Sequence, residues 1–193
     1  RTILHQNSIS TDIASTRCFH SWNGVAGILR GHSLLLMNVR SYTYLLAVHA
    51  ARLFKKKNPH GIVIVGGMHA AVAIEQMEEI PEFDIIVQGS GENCICDIVQ
   101  DPSGFPRTVT GKGALAMDDW PAIDRTLWPE PAGKLAETYP WPLEPSVGWG
   151  PPPVATMLTS RTCPWNCAFC NEKLYIAAMR RRSVDRVIDE LND

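Results

Sequence analysis

The stretch RTCPWNCAFC, residues 161–170, places three of the chain's six cysteines within eight consecutive positions. Thiols this close bind soft metal ions or iron–sulfur clusters, or pair as disulfides where the compartment oxidises. The opening residues RTILHQNSISTD lack the basic start and apolar middle of a secretory signal. The expectation is therefore metal binding in a reducing, cytoplasmic compartment. Cys163, Cys167 and Cys170 are spaced C-x3-C-x2-C, and no cysteine or histidine follows them. Structural zinc takes four ligands, normally as two pairs, and ferredoxin-type clusters also take four cysteines. Three thiolates on a tight loop suit a 4Fe-4S cluster with one iron open to an outside ligand, the open position that separates a catalytic metal site from a structural one. The blander alternatives are structural zinc completed by another chain, or a chance grouping of thiols.

The elements that must hold this loop are readable upstream. From HSLLLMNV (32–39) to IIVQGSGE (85–92) a short apolar run, a polar or glycine-bearing turn and a helix-like segment recur. That alternation specifies an α/β domain with a parallel sheet. The first strand leads into TYLLAVHAARLFKKKN, whose apolar positions fall at roughly helical spacing. IVIVGG is the next strand, followed by MHAAVAIEQMEE as one helix; FDIIVQGSGE and ENCICDIVQD repeat the scheme. RTILHQNSI reads as a strand and STRCFHSWNGVAGILRG as a helix. A doubly wound domain has about five strands, so the amino terminus reads as clipped. DPSGFPRTVTGKG reads as a small hairpin or loop.

Residues 118–153 hold most of the 14 prolines and several tryptophans. Proline resists helix and central strand, so the segment reads as an extended linker pinned by Trp120, Trp128 and Trp141. VATMLTS (154–160) is a further strand running into the cysteines, and SVDRVIDELND opens with a serine cap and sets Val184, Val187, Ile188 and Leu191 on one helical face. The division is a sheet domain over 1–105, a linker over 106–153, and the start of a second domain over 154–193. With 193 residues, 45% of them hydrophobic, the chain can bury a core. Its 18 basic and 20 acidic residues offer no electrostatic case for nucleic acid, and no run is long enough to span a membrane.

CPWNCAFC, following VATMLTS, resembles the C-x3-C-x-aromatic-C signature of radical S-adenosylmethionine (radical SAM) enzymes. The resemblance implies a partial (β/α) barrel of which residues 154–193 form only the first βα unit. It further implies a 4Fe-4S cluster on Cys163, Cys167 and Cys170, S-adenosylmethionine on the open iron, Phe169 beside both, and reductive cleavage of the cosubstrate by electrons from a flavodoxin or ferredoxin-type reductant. A chain holding one βα unit is expected to be weak or inactive alone.

IVIVGGMHA, FDIIVQGSGE, MDDWPAIDRTLWP and the cysteine motif, in that order, are similar to the cobalamin-binding subgroup of those enzymes, in which a Rossmann-like domain precedes the barrel. Ligands of open parallel sheets bind beyond the carboxyl ends of the strands, where small residues let a large cofactor reach the backbone. The resemblance thus assigns cobalamin to Asn38, Arg40, Ser41 and Tyr42, to Gly66, Gly67 and His69, and to Gly89, Ser90, Gly91 and Glu92. Serine at position 90 departs from the subgroup's usual glutamate, and the D-x-H-x-x-G motif that ligates cobalt in methylmalonyl-type domains is absent. His69 reads as a hydrogen-bonding loop residue more readily than as a metal ligand, and Cys94 and Cys96 as buried, inert thiols. The implied function is methyl transfer to an unactivated centre of a small-molecule or natural-product substrate. The alternatives are cyclisation, rearrangement or methylthiolation without cobalamin, or a stand-alone electron-transfer or cofactor-binding module.

Overall fold

A computed structural model describes residues 2–12, 22–111, 116–122, 124, 157–171 and 179–192. Four short strands form one parallel sheet: β1 (Leu34–Asn38), β2 (Ile62–Gly66), β3 (Ile85–Gln88) and β4 (Thr108–Thr110). They lie side by side in chain order. The registers Leu36↔Ile64 and Ile86↔Thr108 align all four carboxyl ends along one edge. The runs IVIV and IIV are apolar at every position because both faces of the sheet are covered there, whereas in LLLM Leu36 stays exposed.

Helices α2 (Trp22–Leu29), α3 (Tyr44–Lys57), α4 (Met68–Val72) and α5 (Ile74–Glu78) share a core with Val63, Val65 and Ile86. Helix α6 (Ile95–Gln100) packs on the other face against Ile64, Ile85 and Val87. Phe54, Phe83, Met77 and Ile86 are fully buried in the first core. Successive strand residues feed opposite cores, as the two-residue period of a strand requires.

Three expectations are corrected. Residues 2–6 form a helix, α1 (Thr2–Gln6), rather than a strand. The single helix expected after β2 is broken at Ala73, whose backbone (φ −146°, ψ 53°) is neither helical nor extended; alanine is the strongest helix former, so no local signal announces the break. RTVT is no hairpin: it enters the sheet as β4, in parallel register with β3, and carries the sheet past residue 105. Its three residues satisfy the ladder of β3, which nothing in a run so short and polar reveals. Among the described residues the sheet has four strands, and the outer edge of β1 borders a groove of about 790 Å³ walled by Leu4, Trp22, Leu34, Leu36 and Leu46.

The cysteine-bearing region is smaller. The strand expected over 154–160 is confined, within the described residues, to β5 (Ser160–Arg161), which pairs antiparallel with β6 (Arg180–Arg181). Helix α7 (Val184–Asn192) follows, with the Ser183 hydroxyl accepting from the Arg186 N–H as expected of a cap. Its apolar residues Val184, Ile188 and Leu191 face outward, while Glu190 is buried against Arg182. Among the described residues no helix is long and apolar enough to cross a membrane. Trp128 and Trp141 lie outside the described residues.

Candidate functional site

Three loops leave the carboxyl edge of the sheet. The loop after β2 leads into α4 on one face of the sheet and that after β3 into α6 on the other. Gly67 stands at φ 103°, ψ −170°, a conformation reserved for glycine, and a Cβ there would lie 2.5 Å from Asn38 Oδ1 and 2.8 Å from the Val39 carbonyl. A Cβ on Gly66 would press to 3.2 Å on the Val87 carbonyl. Gly89 also has positive φ, at 88°. Gly67 and Gly89 are required by the backbone itself, whatever else they serve.

The first two loops are stitched together by His69. Its Nδ1 lies 3.1 Å from Ser41 Oγ and its Nε2 3.0 Å from Gln76 Oε1, and the ring packs 4.7 Å from that of Tyr44. Both imidazole nitrogens are thus engaged inside the protein, in the hydrogen-bonding role favoured from sequence. Tyr44 is held in turn by its hydroxyl donating to the Gln76 carbonyl, and burial raises its pKa, with Glu79 adding to the effect. Asn38 ends β1, and Tyr42 projects into solvent, 76% exposed.

The third loop behaves differently. Ser90 is buried and accepts a hydrogen bond from Arg180 Nη2 at 3.3 Å. Glu92 Oε1 pairs with Arg161 Nη1 at 2.7 Å, both side chains about four-fifths buried. Gly111 packs so tightly on this loop that a Cβ would fall 2.0 Å from the Ser90 carbonyl. Arg161 and Arg180 are themselves directly paired across β5 and β6. The guanidinium of Arg161 also lies 4.2 Å from the centre of the Trp120 ring, a cation–π contact of about 0.5–2 kcal/mol. The cysteine segment is therefore clamped onto the sheet's carboxyl edge through residues 90 and 92. Arg186 donating to the Trp120 carbonyl and the Ser183 N–H donating to Asp118 Oδ1 extend the clamp into α7. The Ser183 backbone N–H, and then the Ser183 side chain, hold the Asp118 carboxyl below the usual carboxylate range.

Directly after Arg161, Thr162 adopts φ 67°. A β-branched residue in the left-handed region costs about 1–2 kcal/mol, so the neighbouring contacts must hold it there. The turn carries the chain out of β5 into the cysteines. Cys163 is half-buried, Cys167 and Cys170 are exposed, and all three are free thiols. The Cys170 N–H donates to the Cys167 carbonyl at 3.1 Å, closing a tight turn between those two. Phe169 and Trp165 stand out beside them, 90% and 73% exposed.

The donor set fits an iron–sulfur cluster in kind: three soft, unpaired thiols on one short loop. The sulfurs are not gathered, since no three His, Cys, Asp or Glu side chains among the described residues converge as a metal site. Glu92 Oε2, Trp120 Nε1 and Thr162 Oγ1 are buried without a hydrogen-bond partner among the described residues. Cys94 and Cys96 are half-buried rather than fully buried, and their thiol pKa values are raised, first by burial and then by Asp97. Both therefore ionise, and react, less readily than an ordinary thiol.

Sequence reasoning missed Arg161, Arg180, Trp120 and Asp118 as site residues. An arginine two positions before a cysteine is a weak hint, and nothing local names its partner. The assembled object is a Rossmann-like parallel α/β sheet with a three-cysteine loop fastened to its carboxyl edge.

No family model matches the chain. It is 31% identical, over 153 residues, to an uncharacterised methyltransferase of Pyrococcus horikoshii, covering 76% of this chain and 33% of that protein. It is 26% identical, over 166 residues, to an anaerobic magnesium-protoporphyrin IX monomethyl ester cyclase of Rubrivivax gelatinosus, covering 75% of this chain and 28% of the other. A cyclase of the same name from Cereibacter sphaeroides is 26% identical over 141 residues, 69% of this chain and 23% of the relative. The chain thus spans about a third or less of the curated relatives' length. In solved structures, the N-terminal domain of a hypothetical protein of Thermotoga maritima aligns with a TM-score of 0.43 at 13% identity, over 57% of this chain and 84% of that one.

Proposed function

We propose that this chain is part of a radical SAM enzyme that also binds cobalamin, acting in methyl transfer to an unactivated centre of a small-molecule substrate. The observation that carries the reading is the junction: a loop with three free cysteines spaced C-x3-C-x2-C, clamped to the carboxyl edge of a parallel sheet. The similarity to proteins named as a methyltransferase and as anaerobic cyclases supports enzyme activity of this type.

Cys163, Cys167 and Cys170 would hold the cluster, and their loop must draw together to do so. The Thr162 hydroxyl, buried next to Cys163 and unpartnered, can donate to a sulfur there. Phe169 and Trp165 would shield the loop from water. Cobalamin would lie beyond the carboxyl ends of β2 and β3, where Gly66, Gly67, Gly89 and Gly91 let a large ligand approach the backbone. When bound, the cluster supplies an electron to S-adenosylmethionine and cobalamin carries a methyl group. A flavodoxin or ferredoxin-type reductant in a reducing cytoplasm completes the assignment. A second reading, ring closure without cobalamin, is favoured by the two cyclase relatives.

Anaerobic reconstitution with iron and sulfide, followed by electron paramagnetic resonance of the reduced sample, tests the proposal. A 4Fe-4S signal that shifts on adding S-adenosylmethionine, and is lost in Cys167→Ser, is expected. A signal indifferent to S-adenosylmethionine would overturn it in favour of electron transfer. A parallel titration with cobalamin separates the two enzyme readings: a perturbed corrin spectrum supports methyl transfer, an unchanged one the cyclase.

A further inference from the structure

We infer that Glu92 and Arg161 are positioning residues, which set the cysteine loop on the sheet, and that Glu92 is not a contact for the corrin. The inference rests on the proposed function for what the loop holds, but not for the geometry.

Glu92 closes the glycine-bearing loop after β3, where a ligand-facing carboxylate is expected. The structure turns one oxygen of that carboxylate, Oε1, elsewhere and buries the other. Oε1 is turned onto Arg161 at 2.7 Å, with both partners about four-fifths buried. The guanidinium is sandwiched further by the Trp120 ring at 4.2 Å. An arginine held on one side by a carboxylate and on another by an aromatic face has little rotational freedom. Its backbone is also fixed, by pairing with Arg180 in the β5–β6 ladder. Arg180 in turn reaches Ser90, two residues from Glu92, so two neighbouring arginines grip one four-residue loop.

One residue separates this clamp from Cys163, and that residue, Thr162, is in the left-handed region. A strained turn keeps its shape only while both flanks are held. Release of Arg161 would let Thr162 relax, and Cys163, the half-buried member of the three, would swing outward. The clamp therefore fixes the first thiol, while Cys167 and Cys170 are held only by their own turn.

The test uses the apo chain, so that it does not depend on loading any cofactor. Timed alkylation of each cysteine with iodoacetamide is followed by mass spectrometry, with Cys96 as the internal reference. Glu92→Gln removes the charge and keeps the shape; Arg161→Met removes the guanidinium. Each is expected to raise alkylation of Cys163 at least fivefold relative to Cys96, with Cys167 and Cys170 within twofold of wild type. The charge-swapped double variant Glu92→Arg with Arg161→Glu should recover most of the protection, and Arg161→Lys should be intermediate. Far-UV circular dichroism confirms that each variant retains its fold, and Arg161→Lys serves if Arg161→Met does not. An unchanged Cys163 rate in Glu92→Gln overturns the inference.

Cobalamin and cluster titrations then locate any second role. Glu92→Gln should leave the cobalamin dissociation constant within twofold while lowering the iron retained per chain. A tenfold weakening of cobalamin with an unaltered cluster would make Glu92 a corrin contact and sink the inference. Failure of wild type to bind either cofactor would remove the proposed function, while the alkylation rates would still decide the clamp.

Discussion

The sheet region and the cysteine region are held together by different physics. Between residues 34 and 110 the cohesion is apolar: Phe54, Val63, Ile86 and Ile98 are essentially solvent-free, and two cores cover both faces of the sheet. Among the described residues between 157 and 192 it is polar. Arg161 with Glu92, Arg182 with Glu190, and the Ser183 N–H with Asp118 carry the contacts, while Val184, Ile188 and Leu191 stay exposed. The difference teaches that the first region can fold on its own burial, whereas the second takes its shape from the first. Apolar burial is non-directional and additive; a buried ion pair contributes only when its geometry is already imposed.

That contrast can be broken in order of size. Phe54→Ala should destabilise the sheet by about 3–5 kcal/mol, as large core truncations do, and urea unfolding followed by far-UV circular dichroism would show the whole transition moving. Arg182→Met removes the buried ion pair of Glu190, which is 4% exposed; the local cost is about 1.5–3 kcal/mol. Hydrogen exchange should then rise across α7 with β1–β3 unaffected, and exchange rising equally in the sheet would contradict the division drawn here. Ser183→Ala removes the cap of α7 and should cost about 1 kcal/mol, again confined to that helix.

The smallest effect is that of acid. The Asp118 carboxyl is held below its usual range by the Ser183 backbone N–H, then by the Ser183 side chain. A carboxylate with a depressed folded value stabilises above its unfolded value and ceases to do so as pH falls through the folded one. Protection factors in the first turn of α7, corrected for the intrinsic pH dependence of exchange, should therefore be flat from neutrality down to the ordinary carboxylate range and fall below it, and Asp118→Asn should abolish that fall.

How much was legible in advance follows the same division. The three long strands, α3 and the glycine turns could be read because burial on both faces writes continuous apolar runs and because φ above zero selects glycine. The cysteine triplet was legible as a short-range pattern. By contrast, α1 was misread as a strand, since five mixed residues carry too little period to separate the two. β4 was missed because TVT owes its strand geometry to the waiting edge of β3.

Sequence alone determined the alternation that builds a parallel sheet, the glycine positions on its edge and the thiol chemistry available at 163–170, because each depends on neighbours a few residues apart. Only the tertiary structure decided that Ser90 and Glu92 grip Arg180 and Arg161, that His69 spends both nitrogens on Ser41 and Gln76, and that α7 buries a glutamate instead of its apolar face. Arg180 and Ser90 are 90 positions apart in the chain, and partners at that separation are selected by which surfaces the folded sheet brings together, which no local pattern encodes.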